Sequence, residues 1–127
     1  MSERFARAML FLHVLALLLG TLMPGSWRAN VEQSLSAPMG LSSLAHFILF
    51  ASMACLLCAR PLAWQLTNIV IFTLTFALLS EGLQFFAIDR HPRWIDIGID
   101  MAGACAGLGL SRLLFIDDFF NNKSDEY

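Results

Sequence analysis

Charge is scarce in this chain. Only 14% of its 127 residues are Asp, Glu, Lys or Arg, against about 25% in an ordinary soluble domain. The 8 Lys and Arg residues are scattered, which excludes a basic nucleic-acid face. Cysteine is equally sparse: Cys55, Cys58 and Cys105 all lie in apolar runs, where Cys packs as a small hydrophobe. The Cys55-x-x-Cys58 spacing lacks the strand–helix–strand setting of a redox motif. There is no H-E-x-x-H pair for a metal. Ser42 and Ser43 precede His46 by one turn without a nucleophile elbow. Internal repeats and low-complexity stretches are also missing, and the chain is too short for a second domain.

What the chain has in excess is apolar surface. Hydrophobic residues make up 57% of it, and its mean hydropathy is +0.66. Soluble domains hold about 45–50%, and a chain this short has too little interior to hide the surplus. A bilayer removes the difficulty. A span needs about 20 mostly apolar residues, and four segments qualify: about 5–23, 41–59, 62–88 and 94–116. Pro24-Gly25, Pro38, Gly40, Arg60-Pro61 and His91-Pro92 punctuate them. The expected fold is all-α, an integral membrane four-helix bundle, with residues 1–127 as one domain. The first segment has Arg4 and Arg7 before its apolar stretch, like a signal peptide. It is long for that role and three spans follow, so an uncleaved helix is expected.

Orientation follows the placement of Lys and Arg rather than the net charge of −2. An internal N-terminus puts Arg4, Arg7, Arg60, Arg112 and Lys123 inside and Arg28, Arg90 and Arg93 outside. The expectation is N-in and C-in. Trp27, Trp64 and Trp94 at span ends fit an aromatic belt, and Arg112 is placed to snorkel to the inner interface.

Acids interrupt this apolar background. Glu81 closes an uncharged run that starts at Leu62, and Asp96 and Asp100 open the last span. A carboxylate at mid-membrane costs about 2.5–3.5 kcal/mol on insertion scales, so such groups face a protein interior. With alternating spans, the start of the second, the end of the third and the start of the fourth share one membrane face. His46, Glu81, Gln84, Asp96 and Asp100 then lie roughly 3–10 Å below that face, at about 1.5 Å per residue. Glu81 and Gln84 are i, i+3 and share a side. Asp96, Asp100, Gly103 and Gly107 form one stripe, and the glycine pair permits close helix packing. Arg90 and Arg93 sit in the connection above. Three acids against two arginines leave one negative charge, balanced by a bound proton or a cationic His46.

The pattern Glu81-x-x-Gln84, Arg90, Asp96, Gly103 and Gly107, with His46-Phe47 opening an earlier helix, resembles the VanZ-like family over about Leu41 to Leu114. That resemblance implies a small bacterial membrane protein. The family's type member is associated with low-level resistance to teicoplanin-class glycopeptides. The family often has an Asp-Lys pair where this chain has Ser42 and Ser43, and usually Asn at Asp100.

The expected function is binding of an amphipathic envelope molecule at an outer-leaflet polar cluster of the cytoplasmic membrane: a lipid, a lipid-linked wall precursor or a lipoglycopeptide. Arg90 and Arg93 would hold phosphate or carboxylate, Arg being suited to bidentate contact. His46, Glu81, Gln84, Asp96 and Asp100 would line the site. The bilayer is the expected partner, an oligomer is left open, and no nucleic acid, cofactor or metal is expected. Two rivals are weighed: an enzyme using His46 or Glu81 as general base on a lipid-linked substrate, and a structural subunit packing through its glycines. The bland alternative for the charged cluster is a clamp that fixes the hairpin. For His13, in the middle of the first span, a structural role is expected.

Overall fold

The computed structural model describes residues 2–34, 40–88 and 91–121, with side chains described as far as residue 114. Five α-helices and one 3-10 turn follow in order: α1 (Glu3–Leu22), α2 (Gly25–Ser34), α3 (Leu41–Cys58), α4 (Leu66–Leu83), the turn Gln84–Phe86, and α5 (Trp94–Asn121). No strand occurs among the described residues. Four of these stretches are long and apolar enough to cross a membrane: Glu3–Leu22, Leu41–Cys58, Leu66–Phe86 and Trp94–Leu114. At 1.5 Å per residue they measure about 27–32 Å, the thickness of a hydrocarbon core.

Helix boundaries follow local chemistry. Ser2 caps α1 by accepting from the Phe5 amide at 3.3 Å. The residue before a proline favours extended backbone, and Met23, before Pro24, ends α1 with φ −61° and ψ 128°. The third expected span starts four residues late. Leu62–Gln65 fold back over the end of α3 instead, with the Trp64 amide donating to the Leu57 carbonyl at 2.9 Å. Pro61 has no amide to offer a helix there. Helix α2 lies in a polar stretch that hydropathy reads as loop.

Helices α3 and α5 form the tightest pair, and they run parallel. A Cβ added at Gly103 would overlap the Phe47 carbonyl oxygen, and one at Gly107 would overlap that of Ala51. The backbones therefore touch, and dispersion along this seam holds the pair where hydrocarbon gives no hydrophobic drive. Helix α4 runs antiparallel between them in the chain and packs on α5. It buries Ile69, Thr73, Ala77, Ser80 and Glu81, one stripe at helical spacing. Helix α1 packs on α3 and α4. Leu17, Phe50, Met53, Ala54, Leu57, Ile69, Ala77 and Ala104 make the common core.

The outside is equally apolar: Phe11, Leu19, Ile48, Ile71 and Leu113 are each more than half exposed. Such a surface suits acyl chains, not water. Several hydroxyls inside the spans bond to their own helix. Thr73 donates to the Ile69 carbonyl at 2.9 Å, Thr75 to Ile71 at 2.7 Å and Ser111 to Leu108 at 2.9 Å. Lipid offers them no other acceptor.

Candidate functional site

The polar residues gather where α4 ends and α3 and α5 begin. Glu81, Gln84, His46 and Asp100 are all buried. Glu81 lies on the core stripe of α4, four residues after Ala77, so its carboxylate is carried inward. One oxygen, Oε1, accepts from Gln84 Nε2 at 2.8 Å, and the other, Oε2, accepts from the Arg93 backbone amide at 2.8 Å. Arg93 immediately precedes α5. The carboxylate therefore satisfies a donor that a helix start leaves open and places negative charge at the positive end of the dipole.

The Arg93 side chain turns along its own helix. Its Nε donates to Asp96 Oδ2 at 3.1 Å and its Nη2 to Asp96 Oδ1 at 2.9 Å, a bidentate fork. These bonds and the Asp96 charge hold the guanidinium above its ordinary pKa, so it is cationic at any working pH. One turn deeper, Asp100 is fully enclosed. Its Oδ1 lies 3.1 Å from His46 Nδ1 on α3. With the carboxylate accepting, Nδ1 carries the hydrogen. Asp100 Oδ2 has no partner. Gly103 lies next along the same stripe, so the glycine seam brings Asp100 within reach of His46.

Six of the seven expected site residues thus resolve into two buried contacts and one surface fork. His46 meets Asp100, Glu81 meets Gln84 and the Arg93 amide, and Arg93 meets Asp96. The sequence suggested that arginine side chains neutralise Glu81; a backbone amide takes that place for Arg93. Arg90 lies outside the described residues. No three of the described His, Cys, Asp or Glu side chains converge as a metal would require.

Two cavities flank the cluster. One of about 410 Å³ is lined by Leu78, Glu81, Phe85, His91, Arg93 and Trp94, among others. Phe85 and Trp94 are each more than three-quarters exposed there. The second, about 220 Å³, lies beyond His46 and is lined by residues of α1, α2 and α3, including Arg28. Sequence reasoning used Arg28 only for orientation. Its signal was the i, i+4 spacing of Arg28 and Glu32 just after Pro24-Gly25. A third polar link also went unnoticed. His13 Nε2 is 2.9 Å from Ser52 Oγ, and His13 Nδ1 is 2.7 Å from the Met9 carbonyl, which ties α1 to α3 in mid-span.

Four apolar helices around a buried polar seam define a multi-pass membrane protein in contact with lipid. Residues 4–115 match the family model VanZ/LLP1. The chain belongs to the VanZ/LLP1 family. A comparison with curated proteins gave no match, and neither did one with solved structures.

Proposed function

We propose that residues 1–127 form one VanZ-like transmembrane domain of the bacterial cytoplasmic membrane, N-in and C-in, which binds an amphipathic envelope molecule at its outer face. The observation that carries this reading is the cavity of about 410 Å³ beside Glu81. Charge from Glu81 and Arg93 meets apolar walls from Leu78, Phe85, Trp94 and Ile97. A ligand with a polar head and an apolar body matches both surfaces: a lipid, a lipid-linked wall precursor or a lipoglycopeptide. Glu81 fixes the start of α5, Gln84 fixes Glu81, and the Arg93–Asp96 fork presents a cation at the rim. Arg90, two residues before the hairpin's proline, adds a second cation to that connection. Asp100 and His46 pair outside the lining of this cavity, and Gly103 and Gly107 hold α5 against α3. Family membership supports a link to glycopeptide resistance.

Photocrosslinking tests the site. Photoreactive teicoplanin and a photoreactive lipid-linked precursor are presented to the purified chain. Glu81→Ala and Arg93→Ala should each lose most of the label with helical content intact. Undiminished labelling in both variants rejects the site.

A second reading rests on the His46–Asp100 pair. A carboxylate that orients an imidazole leaves the other ring nitrogen available as a general base. Turnover of a lipid-linked substrate by the wild type, lost in His46→Gln, would favour catalysis over binding.

A further inference from the structure

The smaller cavity, on the far side of His46, poses a separate question. Arg28 on α2 lines it, and its Nε is buried without a hydrogen-bond partner. The three ion pairs among the described residues are Arg7–Glu3, His46–Asp100 and Arg93–Asp96, so this guanidinium is unpaired. Glu32 follows at i+4, a spacing at which opposite charges commonly meet on a helix. Instead both side chains line the same cavity. His46 lines it too. Its Nδ1 is engaged by Asp100, while Nε2 makes no hydrogen bond among the described residues. The rest of the wall is largely apolar, with Leu17, Leu41, Ala45 and Leu49.

Each feature narrows the occupant. A buried donor without an acceptor is a standing cost. The Nε and one Nη edge of Arg28 is a fork shaped for two phosphate oxygens. The cavity holds about 220 Å³, whereas one water takes about 30 Å³, so there is room for a polyatomic group. Glu32 stands about 6 Å further along α2 and excludes a group carrying several negative charges. It suits a positive donor attached just beyond the phosphate. The apolar wall suits the start of an acyl chain.

We infer that this cavity is a phospholipid headgroup site, in which Arg28 holds a phosphodiester and Glu32 holds the ammonium group that follows it. Ser42 offers a donor to the ester oxygens, and the unprotonated His46 Nε2 offers an acceptor to the ammonium group. The site is separate from the Glu81 cavity and shares with the proposed function the membrane face and His46. Helix α2 is then a bracket across the headgroup, with Trp27, about two-thirds exposed, on its outer side.

Native mass spectrometry of the full chain in mild detergent tests this assignment, with phosphatidylethanolamine, phosphatidylcholine, phosphatidylglycerol or inorganic phosphate added. The wild type should retain phosphatidylethanolamine in preference to the other three. Arg28→Gln should weaken that retention about tenfold, equal to about 1.4 kcal/mol. Arg28→Lys should fall between them. Glu32→Gln should erase the preference for ethanolamine over choline. Arg7→Gln removes the same charge near the start of α1, where among the described residues the Arg7 side chain meets only Glu3, and should change nothing. Equal retention by wild type and Arg28→Gln overturns the assignment, as does equal binding of the ethanolamine and choline lipids by wild type. Circular dichroism confirms that each variant is folded. Crosslinking at Glu81 is read separately, so either site can fail while the other stands.

Discussion

Replacing Gly103 with Ala adds a single methyl group to the seam, and its effect follows from the geometry. The new Cβ would lie 3.1 Å from both the carbonyl carbon and the Cα of Phe47, and would overlap the Phe47 carbonyl oxygen. Carbon atoms prefer separations of about 3.5–4.0 Å. Nothing at the contact yields cheaply, because the obstacle is backbone. Helix α5 must move outward by roughly 0.5 Å or more. Overpacking of this kind costs about 1–3 kcal/mol, offset by about 1 kcal/mol from the better helix propensity of Ala. Gly109 on the same helix has nothing within 4 Å of an added Cβ, so Gly109→Ala should gain that propensity alone. The two variants should differ by about 1–3 kcal/mol in unfolding from detergent micelles. A second consequence is local. Asp100 lies one turn from Gly103, and its 3.1 Å contact with His46 has little slack. Nitrogen NMR of the labelled imidazole should show that contact weakened in Gly103→Ala and intact in Gly109→Ala. Equal stabilities together with unchanged His46 signals would refute the close approach of α3 and α5.

Three further expectations concern the polar contacts. Asp100→Ala leaves His46 Nδ1 buried without a partner and should cost about 1–3 kcal/mol, whereas Asp100→Asn keeps an acceptor and should cost less; thermal unfolding in detergent ranks the two. Asp96 raises the pKa of Arg93, so the stability from this pair is complete below the arginine's unfolded pKa and is lost only as pH rises through the higher folded value. Arg93→Gln should therefore lose the same small amount at pH 7 and pH 10, about 0.2–1 kcal/mol for so exposed a pair, and a growing difference between those pH values would contradict the fork. Ser52→Ala removes the partner of His13 Nε2 and should cost about 0.6 kcal/mol, a typical value for polar contacts between spans, while a helix packing unaffected by that change would show the link to be incidental.

The spans and the facing of their polar residues were legible because apolar length and helical spacing are strong signals. His46, Glu81, Gln84, Asp96 and Asp100 share a depth because Pro and Gly fix where each helix begins and ends. Gly103 and Gly107 share a stripe with Asp100 because 3.6 residues make a turn. Other features carried weaker signals. Helix α2 has polar residues on most sides, and no periodic apolar stripe announced it. Partner choice within the cluster was open as well: Glu81 takes a backbone amide of Arg93, and spacing gives no hint of main-chain donors. The His13–Ser52 contact needs the rotation of α1 about its axis, which a mid-span histidine by itself does not fix.

The paired notches on α5 have a consequence for alignment. Only glycine at 103 and 107 lets the Phe47 and Ala51 carbonyls nest. Slide one rod by a turn and either Ile99 or Ser111 meets a carbonyl that needs an empty slot. The two glycines therefore work as a key with a single setting, and that setting is the one in which histidine finds aspartate.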